Sequence, residues 1–219
     1  MAKVVVTGGS GFIGSHVVDV LMEAGHEVTV IDHRVRPYRD DVNFEDVDLM
    51  EMSSVLAATK GADHVFHLAA VSNVNYAYKY PVYTTALNVI GTAHVLEAAR
   101  INGVQRVHLA STVWVYNGSP DGKALHEAVP FYLDGAGHLY TSTKMASEML
   151  CHNYSQLYNV PFTGLYTRVL VQPGDPVNSY ILNTMDGTFG DDMRPLAPTL
   201  TPSMTSRVRL WILQGALHN

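Results

Sequence analysis

Residues 7–14 form a glycine-rich stretch, and they read Thr7-Gly8-Gly9-Ser10-Gly11-Phe12-Ile13-Gly14. An apolar, β-branched run at residues 3–7 leads into this stretch, and apolar residues at helical spacing follow as far as residue 24. Glycines three residues apart let the backbone turn sharply and approach a pyrophosphate, while the N-terminus of the next helix presents N–H groups to the phosphates. We therefore predict a strand–turn–helix unit that binds a dinucleotide, with contacts from Gly8, Gly11, Phe12, Ile13 and Gly14.

Asp32 supplies a second sign of a dinucleotide site. It ends the second predicted strand, residues 27–31, and lies 18 residues beyond Gly14. A carboxylate at this place accepts hydrogen bonds from the adenosine ribose hydroxyls and repels a 2′-phosphate, which favours NAD over NADP. Arg34 could pair with a 2′-phosphate, so NADP is kept as a second candidate. The alternative to both is an ordinary turn followed by a capped helix.

The rest of the first 168 residues alternates predicted strands and helices. Strands are expected at residues 42–47, 62–68, 106–111 and 161–165, and helices at residues 52–59, 81–101 and 140–158. The strands are almost continuously apolar and helices separate them, which is typical of parallel strands that are covered on both faces. We predict an α/β fold, a Rossmann-type doubly wound parallel sheet with helices on both faces.

Composition limits the class of protein. Of the 219 residues, 47% are hydrophobic and 16% are charged, which excludes a disordered chain, and the net charge of −6 argues against a nucleic-acid partner. No segment reaches the about 18 apolar residues of a membrane-spanning helix. Cys151 is the single cysteine, and the eleven histidines show no ligand spacing, so we expect no disulfide and no metal site. These features predict a cytoplasmic protein.

Tyr140 and Lys144 stand four residues apart in the predicted helix at residues 140–158, and therefore on one helix face. A nearby ammonium stabilises a phenolate. We predict that Lys144 lowers the pKa of Tyr140, so that the phenol can take or give a proton at neutral pH. The alternative is a surface pair without a chemical role.

Further short motifs follow the predicted strands in a fixed order. They are Asp48-Leu49, His67-Leu68-Ala69-Ala70, Asn88 in the long helix, and Ser111-Thr112-Val113-Trp114-Val115-Tyr116. Together with the glycine turn and the Tyr140/Lys144 pair, they make residues 3–165 resemble the extended short-chain dehydrogenase/reductase superfamily. The resemblance is specifically to the NAD-dependent epimerase/dehydratase family, which includes UDP-glucose 4-epimerase.

The resemblance implies a role for each motif. Asp48 and Leu49 would flank the adenine, Asn88 would belong to the cofactor site, and Leu68, Ala69 and Ala70 would line the passage toward the nicotinamide ribose. The Thr112 hydroxyl would hydrogen-bond the reacting sugar oxygen beside Tyr140. Lys144 would bind the nicotinamide ribose hydroxyls and lower the pKa of Tyr140. The two long helices would form a four-helix interface, which implies a homodimer.

The chain departs from the family pattern at several places. Val113 and Trp114 replace the acidic pair of the dehydratase branch, so dehydration is disfavoured. Val171 replaces an asparagine that contacts the nucleotide diphosphate. Beyond Glu148 the chain has neither Glu nor Lys. We expect an NAD-binding Rossmann domain at residues 1–168 and a short divergent segment at residues 169–219, a partial substrate region that is truncated, rearranged or read in a shifted frame.

The motifs support three functions. The first is an NAD-dependent epimerase acting on a nucleotide-linked sugar, in which Tyr140 removes a hydroxyl proton while hydride moves to NAD and returns to the opposite face. The second is an NAD(P)-dependent carbonyl reductase or dehydrogenase of the same fold, which acts on a smaller substrate. The third is a dinucleotide-binding protein without turnover.

Overall fold

Six parallel strands form one sheet in the computed structural model, which describes residues 1–117 and 130–166. The strand order is β3-β2-β1-β4-β5-β6, and every neighbouring pair is parallel. The strands are β1 (Lys3–Thr7), β2 (Glu27–Asp32), β3 (Asn43–Asp46), β4 (His64–His67), β5 (Arg106–Ser111) and β6 (Phe162–Tyr166). The predicted doubly wound parallel sheet is confirmed.

Helices connect the strands. They are α1 (Phe12–Glu23), α2 (Met52–Ala58), α3 (Val74–Lys79), α4 (Pro81–Thr85), α5 (Gly91–Asn102) and α6 (Leu139–Tyr158). A π-helical turn at Ala86–Ile90 joins α4 to α5, and 3₁₀ turns lie at Val113–Tyr116 and Leu133–Gly135. None of the described helices is both long and apolar enough to cross a membrane.

The central strands β1, β4 and β5 are buried on both faces because helices cover both. Successive side chains of a strand point to opposite faces. On one face, Val65 and Leu109 belong to a core that also contains residues of α2, α5 and α6. On the other face, Val30 lies beside Val18 of α1, since a Cβ placed on Gly9 would touch both side chains. Alternating polarity is therefore absent from the central strands, as is usual in parallel sheets.

The order of the strands reverses at β1, which pairs with β2 on one side and with β4 on the other. At such a switch point the loops that leave neighbouring strands diverge, and they open a crevice at the carboxyl ends. Thr7 at the end of β1 is in register with His67 at the end of β4. The glycine turn and the Leu68-Ala69-Ala70 segment therefore leave the sheet side by side.

The structure differs from the sequence-based expectation around residues 73–102. The sequence pattern does not predict α3, which begins where the Asn73 side chain accepts a hydrogen bond from the N–H of Tyr76 at 3.0 Å. The single helix expected at residues 81–101 is interrupted by the π turn. The segment predicted at residues 169–219, and with it Val171, lies outside the described residues.

Candidate active site

The glycine turn closes tightly around its own backbone. The N–H of Gly8 donates to the Ile31 carbonyl at 3.0 Å, and the N–H of Gly11 donates to the Gly8 carbonyl at 3.0 Å. A Cβ on Gly14 would lie 2.0 Å from the Gly8 oxygen, and one on Gly8, whose φ is +69°, would lie 2.7 Å from the Ala69 nitrogen. Only glycine fits at both positions.

The same turn leaves the start of α1 accessible to an anion. Gly11 is the N-cap, and within the described residues no side chain caps this end of the helix. Phe12 and Ile13 are its first two residues. The positive end of the helix dipole at this N-terminus would suit the negative charge of a pyrophosphate. The contacts predicted for Gly8, Gly11, Phe12, Ile13 and Gly14 stay predictions.

Asp32 is held over the turn at the end of β2. One carboxylate oxygen accepts a hydrogen bond from the N–H of Ser10 at 3.2 Å, and the other accepts one from the N–H of His33 at 2.9 Å. Arg34 follows with φ at +63°, and its N–H donates to Asp46 at 3.1 Å. Asp32 therefore lies beside the glycine turn, and its predicted contact with an adenosine ribose stays a prediction.

Asp48 and Leu49 follow β3, and their side chains have different surroundings. Leu49 is 5% exposed and belongs to the core. A Cβ on Gly91 of α5 would lie 3.4 Å from its side chain. The Asp48 carboxylate accepts a hydrogen bond from the N–H of Met50 at 2.9 Å. The Leu49 side chain packs in the core, and the parts predicted for Asp48 and Leu49 beside an adenine stay predictions.

A buried chain of hydrogen bonds joins the ends of β1 and β4 to α5. The Thr7 hydroxyl oxygen accepts from the N–H groups of Leu68 at 3.2 Å and Ala69 at 3.1 Å, and it lies 2.8 Å from Nδ1 of His67. Nε2 of His67 lies 2.9 Å from the Thr92 hydroxyl. Burial, with a smaller contribution from the charge of Lys144, lowers the pKa of His67 to about 3, so the ring is neutral.

The hydroxyl protons fix the tautomer of His67. Thr92 donates its proton to the Asn88 carbonyl at 2.6 Å. Nε2 must therefore carry the proton of the ring and donate to Thr92, while Nδ1 accepts from Thr7. Thr7 and Thr92 were not predicted from the sequence. The network sets the backbone of Leu68 and Ala69 at the crevice, whereas the predicted contacts of Leu68, Ala69 and Ala70 with a nicotinamide ribose stay predictions.

Asn88 occupies the π turn and is 2% exposed. Its side-chain oxygen accepts from the N–H of Val71 at 2.8 Å, and its NH₂ group donates to the Val71 carbonyl at 3.1 Å and to the Thr143 hydroxyl at 3.0 Å. Single π turns inside helices occur frequently at functional sites. Asn88 therefore ties the loop after β4 to α6, and its predicted contact with a cofactor stays a prediction.

Tyr140, Lys144 and Thr112 lie where α6 starts and β5 ends. Thr112 caps the following 3₁₀ turn by accepting from the N–H of Trp114 at 3.3 Å. The Trp114 ring meets Tyr140 edge-on, with 6.2 Å between ring centroids. The ammonium of Lys144 lies 6.0 Å from the centroid of the Tyr140 ring. The structure thus brings the three predicted catalytic residues into one region.

The predicted lowering of the Tyr140 pKa is wrong for this structure, in which that pKa is raised. Burial raises the pKa of Tyr140 to about 12, so the phenol is protonated at neutral pH. Burial is the cause of this shift, and the ammonium of Lys144 donates to the Ala110 carbonyl at 2.8 Å. Burial also lowers the pKa of Lys144 to about 8, against the opposing effect of the Glu148 carboxylate.

Comparison with known proteins identifies the family. A sequence profile of the NAD dependent epimerase/dehydratase family matches residues 4–183. The chain belongs to this family. UDP-glucuronic acid decarboxylase 1 of Danio rerio is 32% identical over 198 residues, which cover 84% of this chain and 47% of that protein. The 3 beta-hydroxysteroid dehydrogenase/Delta 5-->4-isomerase of Mycobacterium tuberculosis is 32% identical over 154 residues, or 68% of this chain and 41% of that protein.

A solved member of the epimerase/dehydratase family shares the fold. The crystal structure of Thermus thermophilus UDP-glucose 4-epimerase in complex with NAD matches with a TM-score of 0.68 and 34% identity, over 75% of this chain and 54% of that chain. The chain spans about half the length of the relatives it matches. The glycine turn has no room for a side chain at Gly8 or Gly14, and Asp32 lies beside it at the end of β2. Both features suit NAD, the cofactor of this family.

Proposed function

We propose that this protein is an NAD-dependent epimerase-type enzyme that acts on a nucleotide-linked sugar. One observation carries the proposal: the dinucleotide turn and the Tyr140/Lys144 pair lie at the same edge of the sheet. The turn follows β1, and Lys144 reaches the Ala110 carbonyl near the end of β5. His67, at the end of β4 between them, is close enough to Lys144 for its charge to lower the pKa of His67, after the larger effect of burial. Names of the relatives, which include a UDP-glucose 4-epimerase, support the substrate class.

The protein side of the cofactor site consists of Gly8, Gly11, Phe12, Ile13 and Gly14 for the pyrophosphate, and Asp32 for the adenosine ribose. Bound there, NAD would supply reversible hydride transfer at the carbinol carbon of the sugar. The remainder of the site would be shaped by Asp48, Leu49, Leu68, Ala69, Ala70 and Asn88. Asp32 favours NAD, and Arg34 keeps NADP as the alternative cofactor.

The chain's own residues move the proton. Tyr140 would exchange a proton with the reacting hydroxyl, and Thr112 would orient that hydroxyl by a hydrogen bond. Because the phenol of Tyr140 has its pKa raised by burial to about 12, it is a proton donor at neutral pH in this structure. The step in which it accepts a proton needs positive charge close to the phenol oxygen, and Lys144 is the cation nearest to the Tyr140 ring that the described residues offer.

The second candidate is a reductase or dehydrogenase of the same fold. It is favoured by the relative named as a 3 beta-hydroxysteroid dehydrogenase/Delta 5-->4-isomerase and by Val171 in place of the diphosphate-contacting asparagine. Dehydration stays disfavoured, because Val113 and Trp114 carry no titratable group. The third candidate, a dinucleotide-binding protein without turnover, predicts NAD binding with no reaction.

Incubation with NAD and UDP-glucose, and separately with UDP-glucuronic acid, tests the proposal. We expect a sugar with one inverted hydroxyl and no net NADH absorbance, because the hydride is returned. Steady accumulation of NADH would contradict the epimerase and support the dehydrogenase. Binding of NAD without any product from either sugar would support the third candidate.

We also propose that two copies pair through α5 and α6, in a cytoplasmic protein. At these helices, Ile90, the last residue of the π turn before α5, is 46% exposed, and Met149 and Leu157 of α6 are 59% and 67% exposed. Sedimentation equilibrium should give twice the chain mass of 24.0 kDa. Met149→Glu should shift the mass toward one chain, because a charge in an apolar interface is costly, whereas Leu133→Glu, outside these helices, should not. A wild-type mass of one chain would contradict the dimer.

A further inference from the structure

Glu148 is a buried carboxylate that the proposed function does not use. It lies on α6 one turn beyond Lys144 and is 1% exposed. The hydroxyl of Ser111, also 1% exposed, donates a hydrogen bond to it. A carboxylate removed from water is costly unless it is paired and hydrogen-bonded. The cost of burying Glu148 one helical turn from Lys144 must therefore be offset by its interactions.

Among the described groups that face Lys144, Glu148 is the one that supplies a negative charge. From α6, Tyr140 is a protonated phenol and Cys151 is a neutral thiol, because burial raises the pKa of Cys151 to about 12. From β4, His67 is neutral, with its pKa lowered to about 3 by burial. From β5, the contact is the uncharged carbonyl of Ala110. Within residues 1–117 and 130–166, Glu148 has the largest of the effects that raise the pKa of Lys144, ahead of Cys151.

The end of β5 organises this pair. Three successive residues each hold one part of the site: the Ala110 carbonyl accepts from Lys144, the Ser111 hydroxyl donates to Glu148, and Thr112 starts the turn that carries Trp114. The strand therefore fixes the ammonium and the carboxylate relative to the hydroxyl of Thr112. Helix α6 places Lys144 and Glu148 on one face, because they are four residues apart.

We propose that Glu148, held by Ser111, is a positioning residue that keeps the Lys144 ammonium charged inside the core and directed along the end of β5. This inference rests on the proposed role of Lys144 in the active site. A buried ammonium without a carboxylate partner gives up its proton more readily. Glu148 thus preserves, at neutral pH, the positive charge that the proton-transfer site requires.

The test measures the titration of Lys144 directly. The chain has five lysines, so labelling them with ¹³C and ¹⁵N gives a small set of NMR signals, and Lys144→Arg identifies the signal of Lys144. In Glu148→Gln we expect the titration midpoint of Lys144 to fall by about 1–3 pH units, the range typical of a close opposite charge. Ser111→Ala should lower it in the same direction by less.

The control is Glu97→Gln, which removes a glutamate of α5 that pairs with Arg100 at 2.7 Å. It should leave the Lys144 midpoint unchanged. The same midpoint in Glu148→Gln as in the wild type would overturn the proposal. Should Glu148→Gln fail to fold by circular dichroism, an unchanged midpoint in Ser111→Ala would overturn it equally.

This measurement needs neither NAD nor sugar. A failed sugar assay with a shifted midpoint would therefore reject the proposed function and support the role of Glu148. An unchanged midpoint in an active enzyme would support the proposed function and reject the role of Glu148. Where turnover is measured, its decline on the alkaline side should begin at lower pH in Glu148→Gln, because the Lys144 ammonium is lost earlier.

Discussion

Tyr140→Phe should reduce turnover by about two to four orders of magnitude, the range expected when a positioned acid or base is lost. The substitution removes the phenolic oxygen and keeps the ring. Ring packing should persist, because the edge-on contact with Trp114, at 6.2 Å between centroids, does not use the hydroxyl. NAD affinity should stay close to the wild type, since the turn after β1 is untouched.

The matched control is Tyr154→Phe on the same helix. Its hydroxyl donates to Glu97 at 3.3 Å, a contact on the side of α6 that meets α5. Loss of that bond should leave kcat within about twofold, since weak hydrogen bonds of this kind contribute little. Steady-state rates at saturating substrate measure both variants. A Tyr140→Phe enzyme with undiminished kcat would contradict the assignment of proton transfer to Tyr140.

Gly14→Ala should abolish NAD binding. The new Cβ would lie 2.0 Å from the Gly8 oxygen and 2.8 Å from the Gly9 Cα, and both are backbone atoms that no rotamer change can move aside. The turn must open, which displaces the N–H groups that would face the pyrophosphate. We expect an affinity loss of at least about a hundredfold, and overpacking should lower the free energy of unfolding by about 1–3 kcal/mol.

Gly25→Ala separates the loss of stability from the loss of NAD affinity. Gly25 follows the other end of α1 with φ at +80°, and a Cβ there would meet nothing within 4 Å. The left-handed backbone alone costs alanine about 1 kcal/mol or more, far from the cofactor site. Calorimetric titration with NAD and urea unfolding should show a stability loss without an affinity loss. Wild-type affinity in Gly14→Ala would refute the role of the turn.

The sheet was predictable because its central strands β1, β4 and β5 are buried on both faces. Strands β1 and β5 have the predicted bounds, since continuous apolar runs end at a glycine turn or a Ser-Thr pair. Helix α3 was not predicted because it has six residues, two of them tyrosines typical of strands. Asn73, three residues before Tyr76, was the signal for its start. The π turn depends on contacts of Asn88 with Val71 and Thr143, which no local pattern reveals.

The candidate site was predictable in its positions but not in its electrostatics. Helical spacing places Tyr140 and Lys144 on one face, yet it does not tell where a long side chain is directed. The carbonyl of Ala110 attracts the ammonium of Lys144, and burial governs both pKa values. Glu148 could have been noticed from its spacing to Lys144, because an acid four residues later on a mostly buried helix face is unusual.

Titration calorimetry of the folded chain with NAD tests the central claim most directly, since the proposed reaction depends on a dinucleotide in the crevice beside Tyr140. We expect saturation at about one NAD per chain, the stoichiometry of a single Rossmann site. NADP should bind more weakly, because Asp32 repels a 2′-phosphate. Absence of binding heat for both dinucleotides, over a range of temperatures, would contradict the account.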